Sequence, residues 1–275
     1  MISFAHIINP VQVDETSDLH LAQPITFETL RIARQFSEGT ADVKLYAIQD
    51  QDEARSMLPD CFIRVPDLTR SVTDIKTFDK KRKLPLIKDI LDALFETAGQ
   101  ADYLIYTNVD IAPQPYFYKS ISKIVAQGYD AFVINRRTIS NRYGNMEQIP
   151  LMYAEIGEPH PGYDCFVFKR GLYPQFKLGT ICIGTAYIGR ALLANMVAYS
   201  GKFKEFRNEH LTFHIGNSLP WLRGEYRDYF QENLNEYLTI FSQLESEQGA
   251  FEPVLRSYLL DTGDKRQFPP FVRFD

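Results

Sequence analysis

One short segment, residues 101 to 111, constrains the fold of this chain more than any other. It reads Ala-Asp-Tyr-Leu-Ile-Tyr-Thr-Asn-Val-Asp-Ile, an apolar run of strand-forming residues that ends abruptly in Thr107, Asn108 and Asp110. Strands without polar alternation are typical of parallel sheets that are covered on both faces. In open α/β sheets, ligands bind beyond the carboxyl ends of such strands. The segment therefore predicts an α/β fold in which Asp110 lies in a cleft.

The first 135 residues alternate between strand and helix patterns. The apolar runs predict strands at residues 2–9, 43–48, 62–65, 103–106 and 131–135. Helical spacing predicts a helix that begins after Thr26 and stops at Gly39, a second over residues 86–95, and a third that Pro113 and Pro115 open and that ends near Gln127. Strands separated by helices imply a mostly parallel, right-handed, doubly wound sheet.

The alternation stops after Arg137. Residues 138–162 are polar and contain several glycines and prolines, which predicts a long loop. Beyond it the patterns predict a strand at 164–168, a helix near 186–200, a strand at 209–213 that ends at His214, and a long amphipathic helix from Tyr226 to Leu244. We expect one domain with an elaborated C-terminal third, and the Tyr226 helix could pack internally or form a homodimer.

Charge and hydropathy exclude some classes of partner. The 275 residues include 30 Lys and Arg against 35 Asp and Glu, a net charge of −5, and the basic residues are scattered except at residues 80–83. This distribution does not favour nucleic-acid binding. The chain has no secretory pattern at its start and no run near the ~20 apolar residues of a transmembrane segment, so we expect a cytoplasmic protein.

The cysteines are odd in number and far apart. Cys61, Cys165 and Cys182 each lie among apolar residues. This predicts buried structural thiols, in preference to disulfides or a zinc site.

Several common catalytic motifs are absent from the sequence. There is no G-x-G-x-x-G after the first strand, no G-x-x-x-x-G-K-[ST] and no G-x-S-x-G. What remains is a phosphate-handling site made of a metal and basic side chains. Asp110 and the weaker ligand Asn108 could hold Mg²⁺ or Mn²⁺, and Arg82 or Lys83 could bind diphosphate oxygens. The alternatives are a polar strand end with turn chemistry and a solvated basic surface.

Together these features resemble the nucleotide-sugar half of GT-A-type glycosyltransferases. In that family, an Asp-x-Asp motif holds a divalent metal against the diphosphate of the sugar donor, and here the matching tripeptide is Asn108-Val109-Asp110. The resemblance covers roughly residues 1 to 215, by motif order. It implies a nucleotide-sugar-binding half at 1–135, an acceptor and metal side at 136–222, and a C-terminal helical extension at 223–275 of a single domain.

Two later segments strengthen the resemblance. His160-Pro-Gly-Tyr-Asp164 and the residues after it are similar to the acceptor-side strand where such enzymes place a catalytic carboxylate, which implies Asp164 as general base. His210-Leu-Thr-Phe-His214 is similar to the segment that often supplies a histidine as a further metal ligand. From the residues alone, Asp164 could equally cap a turn, and His214 could have a structural role. Asn108 departs from the family's usual Asp and should weaken metal affinity.

The resemblance also implies residues on the donor and acceptor sides. Asp50, at the end of the second strand, matches a nucleobase-contacting carboxylate, and Asn9 matches a donor-binding position at the end of the first strand. From the residues themselves, His160 could contact the acceptor or a phosphate, and Trp221 could stack on a sugar or base, although a lone Trp also suits a core.

The sequence thus predicts transfer of a sugar from a nucleotide-diphosphate donor to a hydroxyl acceptor, assisted by Mn²⁺ or Mg²⁺. The hydroxyl acceptor could be a glycan, a lipid-linked molecule or a small molecule. Two alternatives stay open. One is a sugar nucleotidyltransferase, which would prefer a glycine-rich first loop that Asn9-Pro-Val-Gln lacks. The other is a non-catalytic module that binds nucleotide sugars.

Overall fold

A computed structural model describes residues 1–53, 58–217 and 226–260. The strands are β1 (Ile2–Ile8), β2 (Ala41–Ala47), β3 (Phe62–Arg64), β4 (Tyr103–Thr107), β5 (Ala112–Pro113), β6 (Ala131–Ile139), β7 (Glu158–Lys169), β8 (Phe203–Phe206) and β9 (Thr212–Ile215). The helices are α1 (Asp18–Phe36), α2 (Ile87–Thr97), α3 (Phe117–Ala126), α4 (Ile149–Ala154), α5 (Ile188–Tyr199), α6 (Arg227–Gln248) and α7 (Pro253–Leu260).

The described strands form one mixed sheet in the order β3-β2-β1-β4-β7-β6-β9-β5, with β8 also paired to β6. The strands β3, β2, β1 and β4 are parallel neighbours. Strand β7 is antiparallel to both β4 and β6, so it is inserted between two strands that run in the same direction. Because β8 and β9 are parallel to β6, most strands share one direction.

Helices cover both faces of this sheet, as predicted. On one face, α2, α5, α6 and α7 contribute Ile90, Leu192, Tyr237 and Leu255 to an apolar cluster that includes Phe166 of β7. On the other face, α1 and α3 pack against the opposite sides of the central strands. The apolar side of α6 is therefore buried within the protein. The mostly parallel α/β sheet flanked by helices confirms the predicted fold class.

Several boundaries differ from the sequence-based predictions. The strand predicted at 209–213 is observed as β9 at Thr212–Ile215, with His214 inside it, and the largest differences are at α1 and in the predicted loop. Helix α1 begins at Asp18, well before Thr26, because the Ser17 side chain caps it by accepting the Leu19 N–H at 3.3 Å and the helix continues through Pro24. The predicted loop at 138–162 contains the end of β6, all of α4 and the start of β7. Its polar residues are compatible with strand ends and a short helix because many of their side chains remain at the surface.

The cysteines of the chain form no disulfide. Cys165 and Cys182 are buried and Cys61 is partly buried. None of the described helices is both long and apolar enough to cross a membrane.

Candidate functional site

Polar residues gather at the carboxyl edge of the sheet. Asn9 follows β1, Asp50 lies three residues beyond β2 and Asn108 follows β4. Because these strands are parallel neighbours, their ends meet at one edge. The Asn9 side-chain amide donates to the carbonyl oxygen of Ile48 at 2.8 Å, which joins the ends of β1 and β2. The predicted donor-side positions Asn9, Asp50 and Asn108 therefore share this edge.

Asp110 and His214 meet directly at this edge. Asp110 lies in the turn after β4, and His214 lies within β9, whose neighbour β6 runs in the same direction as β4. The His214 Nε2 atom is 3.1 Å from Oδ2 of Asp110. The second oxygen of Asp110, Oδ1, is buried and has no hydrogen-bond partner in the described parts of the chain. The structure thus brings together two of the predicted metal ligands.

The hydrogen bonds of His214 determine what this contact can be. Its Nδ1 atom lies 2.8 Å from the carbonyl oxygen of Gly216, which can only accept, so Nδ1 carries a proton. In the neutral ring, Nε2 then presents a lone pair to the Asp110 carboxylate. Two lone pairs at 3.1 Å repel each other unless a positive charge lies between them. The pair therefore requires either a shared proton or a bound cation.

Electrostatics keep Asp110 ionised. Burial raises the pKa of Asp110, but when His214 is protonated its hydrogen bond and charge, together with the charge of Arg136, outweigh burial and hold that pKa below its usual value. A carboxylate that is both charged and incompletely hydrogen-bonded is a suitable ligand for a hard cation.

Asn108 is linked to a second carboxylate, Asp164. The Asn108 side-chain amide donates to Oδ1 of Asp164 at 3.3 Å, and its carbonyl oxygen accepts from the Tyr106 hydroxyl at 3.1 Å. The other oxygen of Asp164 accepts from Nη1 of Arg136 at 3.1 Å. Both oxygens of Asp164 are therefore already hydrogen-bonded, by β4 on one side and β6 on the other.

The prediction of a strand at 164–168, which would place Asp164 at the start of the strand, is wrong. Strand β7 begins at Glu158, so Asp164 lies inside it, and only 7% of the residue is exposed. The cause is the pairing of Glu158 and Pro159 with β6, which extends β7 over residues that resemble a loop in sequence. Burial of a carboxylate requires a partner, and Arg136 supplies it.

His160 lies next to this buried ion pair. Its Nε2 atom is 3.4 Å from Nη2 of Arg136, and its Nδ1 accepts the backbone N–H of Gly162 at 2.9 Å. The predicted acceptor-side residue His160 and the predicted base Asp164 therefore both contact Arg136.

The two predicted phosphate-binding side chains lie in different surroundings. Lys83 contacts the residues after β2, with its ammonium group 3.9 Å from Asp50 and also paired with Asp52. The Arg82 guanidinium stacks over the Tyr226 ring at 4.5 Å, and its backbone N–H donates to the Tyr229 hydroxyl at 2.7 Å. Lys83 thus lies at the carboxyl edge of the sheet, near Asp50 and Asp52. Arg82 contacts residues at the start of α6. Trp221 lies outside the described residues.

The residues present fit a divalent cation at Asp110 and His214 on the evidence of the unpartnered Oδ1 and the facing lone pairs. Asn108 is a weak third candidate ligand, since its side-chain carbonyl oxygen already accepts a hydrogen bond from Tyr106. No cluster of three His, Cys, Asp or Glu side chains suited to a metal occurs in the described ranges.

Arg136 is not among the site residues predicted from the sequence. It lies in β6 at an irregularity in the pairing with β7, where the register shifts between Asn135 and Arg137. Such bulges redirect a side chain, and here an arginine in a buried strand becomes the partner of Asp164. The signal available in the sequence was the Arg136-Arg137 pair at the end of an otherwise apolar strand.

Comparison with known proteins gives matches at the level of structure. No protein-family model and no curated protein matches the sequence. S. aureus TarS, a GT-A-type glycosyltransferase, has a similar fold. Its fragment 1–349 in complex with UDP matches with a TM-score of 0.55 at 9% identity, over 94% of this chain and 70% of that chain. The same fragment in complex with UDP-GlcNAc matches with a TM-score of 0.52 at 8% identity, over the same shares.

A longer TarS structure matches with a TM-score of 0.54 at 9% identity, over 94% of this chain and 42% of that chain. Identities this low establish similarity of fold only. Together with the strand order and the polar carboxyl edge, they show that this chain has the GT-A-type fold.

Proposed function

We propose that this protein is a glycosyltransferase that moves a sugar from a nucleotide-diphosphate donor to a hydroxyl acceptor. One observation carries the proposal: Asp110 and His214 converge at the carboxyl edge of a GT-A-type sheet, in an arrangement that requires a positive charge between them. TarS, which shares the fold, has been captured with UDP and with UDP-GlcNAc. We therefore take a uridine diphosphate sugar as the first donor to test.

The donor half of the proposed single domain comprises residues 1–135. Asn9 and Asp50 lie at the ends of β1 and β2, where a nucleoside would bind, and Lys83 brings an ammonium group to the same edge. The Lys83 side chain is 60% exposed, and a surface ion pair such as the one with Asp52 contributes about 0–1 kcal/mol. Lys83 can therefore exchange this carboxylate for diphosphate oxygens, and we assign this role to it.

Asp110 and His214, with Asn108 beside them, would hold Mn²⁺ or Mg²⁺. A divalent cation in that position would neutralise the negative charge that develops on the departing diphosphate. His214 is oriented for this by its bond to Gly216, which aims Nε2 at Asp110.

On the proposed acceptor side, residues 136–222, Asp164 is the candidate general base. Asn108 and Arg136 fix its two oxygens. A base must come within hydrogen-bond reach of the hydroxyl that it deprotonates, so one of these contacts must lengthen when the acceptor binds. Loss of the 3.3 Å contact to Asn108 costs least, since it is the longer one and involves a neutral donor.

The occupied oxygens of Asp164 also favour a second candidate, a non-catalytic module that binds nucleotide sugars. A carboxylate neutralised by a buried arginine has a structural role in many proteins. Both candidates predict donor binding at the Asp110 edge, and they differ in turnover.

Calorimetry with UDP and with UDP-GlcNAc, each with and without Mn²⁺, tests the proposal. We expect binding that Mn²⁺ strengthens. Release of UDP from UDP-GlcNAc on addition of candidate hydroxyl acceptors then distinguishes an enzyme from a binding module. Absence of any nucleotide-diphosphate binding, with or without Mn²⁺, would contradict both candidates.

A further inference from the structure

The hydroxyl of Tyr229 bonds the backbone of the basic segment, residues 80–83. Tyr229 lies in the first turn of α6 and is only 1% exposed. Its hydroxyl donates to the carbonyl oxygen of Lys80 at 2.7 Å and accepts the backbone N–H of Arg82 at 2.7 Å. A hydroxyl can do both, because it has one proton and two lone pairs. One side chain of α6 therefore bonds the backbone groups on either side of Lys81.

The ring of Tyr229 is also held in place. It stacks on Phe78, with ring centroids 4.0 Å apart and ring planes at 12°, inside an apolar cluster that includes Val72 and Leu86. A buried tyrosine in such a setting keeps its hydroxyl at a hydrogen-bond partner. The hydroxyl can therefore fix the backbone that it bonds.

Asn233 extends this contact one turn further along α6. It is fully buried, and its side-chain amide donates to the carbonyl oxygens of Cys182 and Ala186, each at 2.8 Å. Residues four apart lie on one face of a helix. Cys182 in turn forms a β-bridge with Leu86, three residues after the basic segment. The same face of α6 therefore holds two loops that are joined to each other.

The basic segment needs a support of this kind. It reads Lys-Lys-Arg-Lys, and it lies outside the helices and strands. Neighbouring like charges repel each other, so nothing within the segment itself favours one arrangement. Lys83 follows Arg82 directly, and its ammonium group lies 3.9 Å from Asp50 beyond β2. The backbone position of Arg82 therefore determines where the Lys83 side chain begins.

We propose that Tyr229 is a positioning residue that holds the basic segment ready for the donor diphosphate, so that α6 belongs to the donor site. Tyr229 acts through residues 80–82 on Lys83 and makes no contact with the diphosphate. The inference rests on the proposed function, because it assumes the role of Lys83 at the diphosphate.

A double-mutant cycle on UDP binding by the full chain, measured by calorimetry with Mn²⁺, tests the inference. Tyr229→Phe retains the stacked ring and loses the hydroxyl. We expect UDP to bind about threefold to tenfold more weakly, with a smaller dependence on salt. In the Lys83→Ala background, Tyr229→Phe should have no further effect, because the cation that Tyr229 positions is already gone.

Tyr237→Phe is the matched control. Tyr237 is a fully buried residue of the same helix, and its hydroxyl donates to the carbonyl oxygen of Leu259 at 2.7 Å. The change removes the same group from α6 but leaves the contacts of the basic segment in place. UDP affinity and its salt dependence should therefore match those of the wild type.

Amide hydrogen exchange without nucleotide tests the positioning separately from donor binding. The Val72 N–H donates to the carbonyl oxygen of Leu84, and the Leu84 N–H donates to that of Arg82, so both amides report on the segment. Tyr229→Phe should speed their exchange by about tenfold, whereas Tyr237→Phe should not. If Tyr229→Phe does not fold, UDP should slow exchange of the two amides in the wild type and leave Gly128 at the end of α3 unchanged.

Three results would each overturn the inference. They are additive effects of Tyr229→Phe and Lys83→Ala on UDP affinity, equal losses in Tyr229→Phe and Tyr237→Phe, and unchanged exchange at Leu84 and Val72 in either exchange experiment. A wild type that does not bind UDP would contradict the proposed function and the donor role of the segment, and exchange in Tyr229→Phe would still show whether Tyr229 holds it.

Discussion

The His214 ring lies 3.1 Å from the Asp110 carboxylate through Nε2, while its Nδ1 proton is committed to the Gly216 carbonyl oxygen. This arrangement leaves the Asp110–His214 contact in need of a proton or a cation. The Asp110–His214 contact connects β9 to the turn after β4 at the carboxyl edge of the sheet. The proposed donor chemistry depends on this relationship.

Replacing Asn108 with aspartate should have opposite effects with and without metal. The new carboxylate would lie about 3.3 Å from Oδ1 of Asp164, and like charges at that separation cost about 1 to 5 kcal/mol for effective dielectric constants between about 80 and about 20. We expect Asn108→Asp to unfold at lower urea concentration than the wild type without metal, and to recover with Mn²⁺. The exposed Asn145→Asp is the control. An Asn108→Asp protein that Mn²⁺ does not stabilise would argue against a cation at this edge.

Asp164→Asn should separate chemistry from binding. The amide retains an oxygen for Arg136 but cannot accept a proton from the acceptor. We expect turnover to fall by about 10² to 10⁴ while UDP affinity, measured by calorimetry, is preserved. Glu158→Gln, an exposed change on the same strand, should leave both unchanged. Normal turnover in Asp164→Asn, or joint loss of binding and turnover, would leave Asp164 with a structural role only.

Lys83→Ala should weaken the binding of nucleotide diphosphates. The ammonium group lies at the carboxyl edge of the sheet beside Asp50 and Asp52, and loss of a charge-assisted hydrogen bond corresponds to about tenfold in affinity. The dependence of UDP binding on salt should also decrease. Lys88→Ala, which removes an exposed lysine paired with Asp92 on α2, is the matched control. Equal UDP affinity in the two variants would exclude Lys83 from the donor site.

His6 should make the protein sensitive to mild acid. Its ring is buried between the Tyr118 hydroxyl at 2.8 Å and the Thr107 hydroxyl at 2.9 Å, and burial lowers its pKa from 6.5 to about 3. Between these values the unfolded chain binds a proton that the folded chain does not, so stability falls as pH decreases from 6.5 toward 3.

At about 1.36 kcal/mol per pH unit, His6 should lower the free energy of unfolding by about 2 kcal/mol between pH 7 and pH 5. Urea unfolding of His6→Gln should lack this part of the pH dependence, whereas His20→Gln should retain it. The same pH dependence in His6→Gln and wild type would show that His6 is not the responsible group.

Local sequence patterns predicted the elements that bury both faces of a strand or one stripe of a helix. Strand β4 and helix α2 lie close to their predicted positions because burial on both faces, or along one helical stripe, leaves a clear periodicity. The order of the strands in the sheet was harder to predict from the sequence. Strand β7 pairs in the antiparallel sense between β4 and β6, and nothing in its own sequence specifies those neighbours.

Site residues that directly follow a strand could be predicted from the sequence. Those whose position depends on an irregularity in strand pairing could not. Asp110 and Asn108 follow an unmistakable apolar run. Arg136 reaches Asp164 only because the register of β6 shifts there, and the extension of β7 to Glu158 is what buries Asp164. Both depend on contacts between segments far apart in the chain.

The most direct measurement of the central claim is the coupling between Mn²⁺ and UDP in wild type and Asp110→Ala, by calorimetry. We expect Mn²⁺ to increase the affinity of the wild type for UDP by about tenfold or more, and to have no effect in Asp110→Ala. Asp42→Ala, an exposed change at the opposite end of β2, should behave as wild type. An unchanged effect of Mn²⁺ in Asp110→Ala would contradict a cation-assisted donor site at Asp110 and His214.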